Sequence, residues 1–465
     1  MCGSNAPRCP GTPCSRASTR PPPAAEPTPR RAPVSLRPLR SRDFSLLWSA
    51  GLVSGIGTWM QTVAVGALVT ARTGQAAWTA LVAVAAFLPI GLLAPVGGAL
   101  ADRHDRRRWL AVANLVEAAL ATLLAVLSAT GRASPGAVTL VVLATGSVAA
   151  LSFPFYQAII PDLVGADELL AASSLGMAQY NMGRVVGPAL AGVVIAATSF
   201  TVAFAINAAS FLAVVAALAV IRVPAVPAAG DDDALLRRIV AGARAARAEP
   251  GCRAAIALIA VAAFLASPFI ALVPAKADLV SSGGAKAVAG ATAALTTAQG
   301  VGAVIGALAI ASLAARFGRR RLLVFYLLAT PASLCAYATT TSVATAVAAL
   351  AVVGALYIGV LSGLSTVVLI RAPVQFRARV LSLYFVALGT IYPLGALVQG
   401  AVADRVGLGW TTAGAAVMLA AIVLAIAALR PGFLQALDDP LPAETPAPMP
   451  ADMPGDPAPP AFQPR

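Results

Sequence analysis

Histidine, charge and paired cysteines are all scarce in this sequence of 465 residues. His104 is the only histidine, and charged residues make up 11% of the chain, against roughly 25% in a soluble domain. The five cysteines are scattered, with no CxxC pair and no Cys/His cluster. Such a sequence provides no set of metal ligands and no disulfide framework, so neither a metal site nor a disulfide is expected.

A nucleotide-binding loop of the GxxxxGK[ST] type is also missing from the sequence. That loop cradles phosphates with backbone N–H groups and a lysine, so its absence argues against direct ATP hydrolysis. We therefore expect a protein that is not an enzyme and that holds no cofactor.

Apolar residues are what the sequence has in excess. They make up 59% of the chain, and the mean hydropathy is +0.83. Crossing the hydrocarbon core of a bilayer takes about 20 apolar residues per helix. Twelve runs reach that length: 44–71, 75–101, 109–130, 136–160, 173–198, 200–221, 254–275, 287–313, 322–340, 343–370, 380–403 and 408–429. The predicted fold class is an all-α membrane protein with twelve transmembrane helices, and Ser199 and 339–342 are predicted turns between closely spaced spans.

A charged segment between the second and third runs, residues 102–108, recurs later in the chain as residues 315–321. We call the first of these segments the hinge. Pairing Asp105 with Gly318 gives an offset of 213 residues, and pairing Pro161 with Pro373 gives 212. Two nearly equal offsets predict two six-helix halves related by an internal repeat. The predicted domains are a disordered Pro/Arg-rich cytoplasmic tail (1–40), an N-terminal half (41–221), a cytoplasmic linker (222–253), a C-terminal half (254–429) and a disordered Pro-rich cytoplasmic tail (430–465). The linker is read either as an amphipathic helix on the membrane surface or as a solvated connector.

Lysine and arginine are unevenly distributed among the predicted loops. If both termini are cytoplasmic, 27 of these cations lie in cytoplasmic segments and 5 in external ones. Positively charged loops stay on the cytoplasmic side of a membrane. We therefore expect a multi-pass protein of the plasma membrane with both termini inside. The same bias accounts for the net charge of +14 without a nucleic-acid partner.

The hinge after the second span resembles a known family signature. Gly98-x3-Asp102-Arg103-x2-Arg106-Arg107 is similar to the loop between helices 2 and 3 of the major facilitator superfamily. Its Asp105 variant resembles the enterobactin-exporter-like branch, also called transmembrane secretion effectors. The resemblance implies a cytoplasmic gate, in which Asp102 meets the start of helix 11; the alternative is a loop that only anchors topology. The implied gate residues are Gly98, Asp102, Arg103, Arg106, Arg107, Arg377 and Arg379.

A second resemblance lies in the fifth span. Gly183, Gly187, Pro188 and Gly192 are similar to a helix-5 signature associated with exporters. Small residues at every fourth position allow helices to approach closely, and a proline bends the helix. Ordinary close packing would explain the same residues, so the direction of transport rests on the resemblance.

Charged residues inside the spans are few, which makes them candidates for a proton or substrate pathway. Glu117 lies nine residues after Arg108, or about 13 Å into the membrane, and Arg184 lies in the middle of the fifth span. A structural role is the alternative for Arg184, and a bond to Asn114 or to a neighbouring helix is the alternative for Glu117. Trp59, Gln61 and Tyr357 are further pathway candidates.

These features predict a secondary active transporter that exports amphipathic small molecules, such as siderophores, macrolides or drugs, by alternating access coupled to protons. The alternatives are an importer or symporter on the same fold and a non-transporting membrane accessory protein. The expected partners are the small-molecule substrate, protons and the lipid bilayer, with no nucleic acid, and the protein is expected to be a monomer.

Overall fold

Helices long and apolar enough to cross a membrane dominate the structure. This computed structural model describes residues 36–223, 244, 246–373, 376–429, 432–433 and 436–437. Twelve such spans are found within those residues. The predicted fold class is confirmed. Most of both predicted tails and the predicted amphipathic helix of the linker lie outside the described residues.

The first six spans follow a short 3₁₀ helix, Arg37–Arg40. They are α1 (Arg42–Thr73), α2 (Ala76–Ala101), α3 (Arg106–Ala129), α4 (Pro135–Leu163), α5 (Leu169–Ala197) and α6 (Phe200–Val220). After the linker come α7 (Pro250–Leu265), α8 (Pro268–Ala271), α9 (Val273–Val280), α10 (Gly284–Phe317), α11 (Arg319–Ala338), α12 (Val343–Arg371), α13 (Arg377–Val406) and α14 (Leu408–Leu429). α7 and α8 together form the seventh span, Pro250–Ala271.

Side-chain caps place several of the helix starts. Ser199 accepts a hydrogen bond from Val202 N at 3.4 Å, and Ser342 accepts one from Thr345 N at 3.3 Å. Both serines satisfy backbone donors that the first helical turn leaves open. The two predicted turns are therefore confirmed, and each is a helix N-cap. The seventh span begins four residues earlier than predicted, because Glu249 caps it by accepting from Cys252 N at 2.6 Å.

The two halves repeat with an offset that differs from the prediction. Five helices of the first half begin 208 residues before their counterparts: Arg42 and Pro250, Ala76 and Gly284, Pro135 and Val343, Leu169 and Arg377, Phe200 and Leu408. An offset of 213 applies only at the starts of α3 and α11, because α10 has 34 residues where α2 has 26, while one residue separates α10 from α11 where four separate α2 from α3.

The pairing of Pro161 with Pro373 was wrong. Pro161 lies inside α4, whereas Pro373 follows α12, which ends at Arg371. The structural counterpart of Pro161, 208 residues on, is Leu369. The repeat of six plus six helices is confirmed, although one of its two sequence landmarks was not a true equivalence.

Lys276 and Arg371, counted above as cations of an external and a cytoplasmic loop, are instead buried and help to hold the second half together. Lys276 is 5% exposed, and its Nζ donates to the carbonyl oxygens of Ala338 at 3.1 Å and Thr340 at 2.7 Å. It therefore satisfies carbonyls at the end of α11, where a cation is favoured by the helix dipole. Arg371 forms an ion pair with Glu249, with an Nε–Oε1 distance of 2.8 Å.

Candidate functional site

The two halves meet along α2 and α13, which run antiparallel in a constant register. Ala76 N donates to Asp404 Oδ1 at 2.6 Å, and a Cβ atom on Gly400 would lie 2.8 Å from the Cβ of Ala80. Further along, a Cβ atom on Gly389 would lie 3.8 Å from Gly91 Cα. Each step forward on α2 is thus matched by an equal step backward on α13.

A second seam joins α5 to α10. A Cβ atom on Gly192 would lie 2.9 Å from the Cβ of Ala293, and one on Gly300 would lie 3.2 Å from Val185 Cγ2. Lys286 Nζ also donates to Ala196 O at 3.3 Å. Both seams extend from the middle of the helices to the ends where Ala76, Asp404 and Ala196 lie. We call this end of the molecule the sealed side, and the end that carries residues 102–108 the basic side.

On the basic side, α2 and α13 separate. Among the described residues, no atom outside the local helix lies within 4 Å of a Cβ placed on Gly98. The register of the sealed side places residue 378 opposite Asp102, between Arg377 and Arg379. Yet Asp102 is exposed, and its carboxylate makes no hydrogen bond or ion pair with any described residue. The predicted gate contact is therefore not formed in this conformation, and it stays a prediction for the conformation closed on the basic side.

The other hinge residues serve the fold of the first half. Arg106 Nη1 donates to Asp162 Oδ2 at 2.7 Å, an ion pair that joins the start of α3 to the end of α4. Arg107 donates to the carbonyl oxygens of Leu218 and Ala219, at 2.5 and 2.7 Å, and so caps α6. Asp105 caps α3 by accepting from Arg108 N at 2.7 Å, whereas Arg103 is exposed. Asp102 and Arg103 are thus exposed, and their side chains make no hydrogen bond or ion pair with a described residue.

The small residues of α5 divide between two neighbouring helices. A Cβ atom on Gly183 would lie 3.2 Å from Trp59 Cδ1, and one on Gly187 would lie 2.6 Å from Trp59 Cβ. These two glycines therefore pack on α1, next to the buried Pro188. Gly192 packs instead on α10, in the other half. The motif thus fastens α5 to its own half and to its partner at once.

Aromatic side chains surround Arg184 where the halves meet in the middle of the helices. Its guanidinium carbon lies 6.0 Å from the ring centroid of Trp59, and Trp59 packs edge-on against Tyr180 at 5.9 Å. From the other half, Tyr357 and Tyr392 lie close enough to interact electrostatically with Arg184. We call these five residues the central site.

The central site is tied to the break in the seventh span. The hydroxyl groups of Tyr357 and Ser267 are 2.5 Å apart, and Ser267 lies between α7 and α8. Phe269 packs edge-on against the Tyr357 ring, with the centroids 5.5 Å apart. A movement of Tyr357 would therefore be transmitted to this break.

Two of the predicted pathway residues, Gln61 and Glu117, are not part of the central site. Gln61 is buried and accepts from Asn207 Nδ2 at 2.8 Å, so it joins α1 to α6. Glu117 is 7% exposed on α3, which packs mainly on α6 and α4. Glu117 accepts no hydrogen bond from Asn114, whose Nδ2 donates to Leu110 O. Among the described residues it forms no ion pair with Arg184, and its Oε2 atom has no partner.

Sequence analysis missed Tyr180, Tyr392 and Asp404. Tyr180 lies one helical turn before Arg184, a spacing that could have pointed to it. Tyr392 and Asp404 become visible only through the packing of α13 on the first half.

Comparison with known proteins decides the family. The sequence profile of transmembrane secretion effectors matches residues 33–450. The chain belongs to the transmembrane secretion effector family. This family is part of the major facilitator superfamily, whose members transport small molecules across membranes and are not enzymes.

The similar curated proteins cover only parts of this family member. Macrolide efflux protein A of Streptococcus pyogenes is 24% identical over 236 residues, which are 50% of this chain and 58% of that protein. The staphyloferrin A transporter of Staphylococcus aureus is 30% identical over 151 residues, 32% of this chain and 38% of that protein. Both alignments span less than two thirds of the relative.

Solved structures show the same fold at low sequence identity. A POT family peptide transporter superposes with a TM-score of 0.69 and 13% identity, over 87% of this chain and 99% of that one. A bacterial homologue of the lysosomal transporter Spinster gives a TM-score of 0.64 and 16% identity, over 86% and 97%. The secretion effector described here therefore has the architecture of a major facilitator transporter.

Proposed function

We propose that this protein is a secondary active exporter of amphipathic small molecules, such as siderophores, macrolides or drugs, that works by alternating access. The observation that carries the proposal is the central site. It draws residues from both halves, and the seams on one side of it are closed while α2 and α13 separate on the other. Such an arrangement is one end state of a carrier whose halves rock about a fixed binding site.

The orientation of the exporter follows from its arginines. The 27-to-5 distribution of cations favours a cytoplasmic location for the basic side. The central site then faces the cytoplasm in this conformation, which is where an exporter loads its substrate. The name of the family and the macrolide efflux relative support the same direction.

Export against a gradient requires a driving ion in the absence of a nucleotide site, and we propose protons. Among the described residues Glu117 is the only carboxylate in the interior of a span. It is the candidate coupling residue, since an intramembrane carboxylate is costly and commonly functional. Its distance from the central site would make the coupling indirect, through the packing of α3 on α6 and α4.

The test is transport in proteoliposomes whose cytoplasmic face points outward. An imposed pH gradient, acidic inside, should drive a labelled macrolide or siderophore into the vesicles. Substrate that moves only in the opposite sense would identify an importer. No movement of either compound, in protein that binds them, would favour the accessory role.

A crosslink across the α2–α13 seam tests alternating access. In a variant whose five native cysteines are replaced by alanine, Ala80→Cys and Gly400→Cys should form a disulfide after a small outward shift of α13, because their Cβ positions lie 2.8 Å apart and a disulfide requires about 3.8 Å. Oxidation should stop transport and reduction should restore it. Each single-cysteine variant is the control. Full transport by the crosslinked protein would contradict a mechanism that opens this side.

A further inference from the structure

The guanidinium of Arg184 lies in the middle of the fifth span and has no acceptor among the described residues. None of its guanidinium N–H groups donates a hydrogen bond to any of them, and its guanidinium carbon lies 6.0 Å from the ring centroid of Trp59. A guanidinium stays charged at any physiological pH. A charge held at this depth is costly unless something pairs with it.

Unlike Arg184, the cations that stabilise the fold of this protein have acceptors within the chain. Lys276 donates to two carbonyl oxygens, Arg107 donates to two carbonyl oxygens, and Arg371 pairs with Glu249. Each of them has at least one acceptor that the chain itself provides. Arg184 lies where two halves meet, yet the described part of the chain offers it no carboxylate and no carbonyl.

The surroundings of Arg184 supply donors and aromatic faces. The hydroxyl of Tyr392 is buried and has no hydrogen-bond partner among the described residues. Trp59 and Tyr180 present their rings, and Tyr180 is 54% exposed. The only described carboxylate in the interior of a span, Glu117, is on α3 and forms no ion pair here. The site therefore combines a fixed positive charge with a second hydrogen-bond donor, the Tyr392 hydroxyl, and with the apolar ring faces of Trp59 and Tyr180.

We infer that the central site binds an organic anion with an aromatic or apolar body, whose negative group is held by Arg184 and the Tyr392 hydroxyl. The inference rests on the proposed transport function and narrows its substrate class. A carboxylate would match the guanidinium fork with two parallel hydrogen bonds. Trp59 and Tyr180 would pack against the body. A cationic amphiphile would meet repulsion at the same position.

Anion binding also gives closure of the basic side a physical reason. Arg184 is on α5, whereas Tyr392 is on α13, so an anion held by both groups would contact both halves. Closing the site around a bare guanidinium would remove its remaining solvation, whereas a paired one loses much less. A bound anion thus favours the closed state over the open one.

Three matched probes test the inference by binding to the full-length protein in nanodiscs. Dansylglycine is an anion, dansylglycinamide is its neutral analogue, and dansylcadaverine is a cation. Transfer of tryptophan fluorescence to the dansyl group reports binding, with empty nanodiscs as the baseline. We expect the parent to bind dansylglycine about 10- to 100-fold more tightly than the amide, the range for a hydrogen-bonded charge. Dansylcadaverine should bind most weakly.

Substitutions at Arg184 separate recognition from structure. Arg184→Gln should reduce the affinity for dansylglycine to about that for the amide, and Arg184→Lys should keep part of the preference because it keeps the charge. No preference in the parent, or equal loss of all three probes in Arg184→Gln, would overturn the inference. Proteoliposome transport is a separate measurement: export of an anionic substrate by Arg184→Gln at the parental rate would refute the anion site while upholding the exporter. Anion preference without transport would refute the exporter alone.

Discussion

Replacing Asp102 by asparagine should shift the protein toward the conformation that is open on the basic side. The register of α2 on α13 places Asp102 between Arg377 and Arg379 when that side closes. Two partly exposed ion pairs contribute roughly 0.5 kcal/mol each, and a carboxylate at the N-terminus of α13 contributes a further ~0.5 kcal/mol. Their loss amounts to about 1.5 kcal/mol, which is about a tenfold change in the conformational equilibrium.

Labelling of an introduced cysteine measures this shift. Ser382 is exposed and, by the same register, lies opposite Gly98. In a background without native cysteines, Ser382→Cys should react several-fold faster with a membrane-impermeant maleimide when Asp102→Asn is present. Transport should fall although expression and insertion stay normal.

Asp105→Asn provides a matched control for the predicted gate contact of Asp102 with the start of α13. It removes the same charge three residues away, and asparagine caps a helix about as well as aspartate does. The control should leave labelling and transport near the parental values. If the cysteine at position 382 is labelled equally fast with and without Asp102→Asn, the gate contact is refuted and the hinge only anchors the topology.

Four further predictions follow from particular contacts. Asp404→Ala should leave two backbone donors of α2 uncapped, weaken the sealed side by about 1 kcal/mol and increase labelling of cysteines there about fivefold; unchanged labelling would rule out a role in the seal. Gly187→Val should lose transport, and reduced thermal stability should accompany the loss, because the added side chain meets α1; a parental melting temperature would contradict this. Glu117→Gln should abolish proton-driven export in vesicles while downhill exchange continues, and unchanged pumping would make Glu117 structural. Reporter fusions after Arg430 should read cytoplasmic and those at Gly283 external; a cytoplasmic signal at Gly283 would overturn the orientation.

The sequence by itself determined the class of the protein and most of its helices. Each membrane-spanning helix can be recognised from its own residues, because every span must by itself be long and apolar enough to cross the bilayer. Turns at Ser199 and Ser342 followed from the same local logic, since a helix N-cap depends on a few neighbouring residues. The repeat was also visible, although Pro161 and Pro373 were not true equivalents.

Only the tertiary structure decided which residues share a site. Glu117 and Gln61 are predicted pathway residues because one is charged and the other polar inside a span, and the sequence does not say which face of its helix each residue occupies. Helix packing turned Gln61 toward α6 and placed Glu117 in the packing of α3. Arg184 acts electrostatically on Tyr392 only because α5 and α13 face each other across the boundary between the halves. Contacts between residues about 200 positions apart depend on how the helices pack together, which no local pattern records.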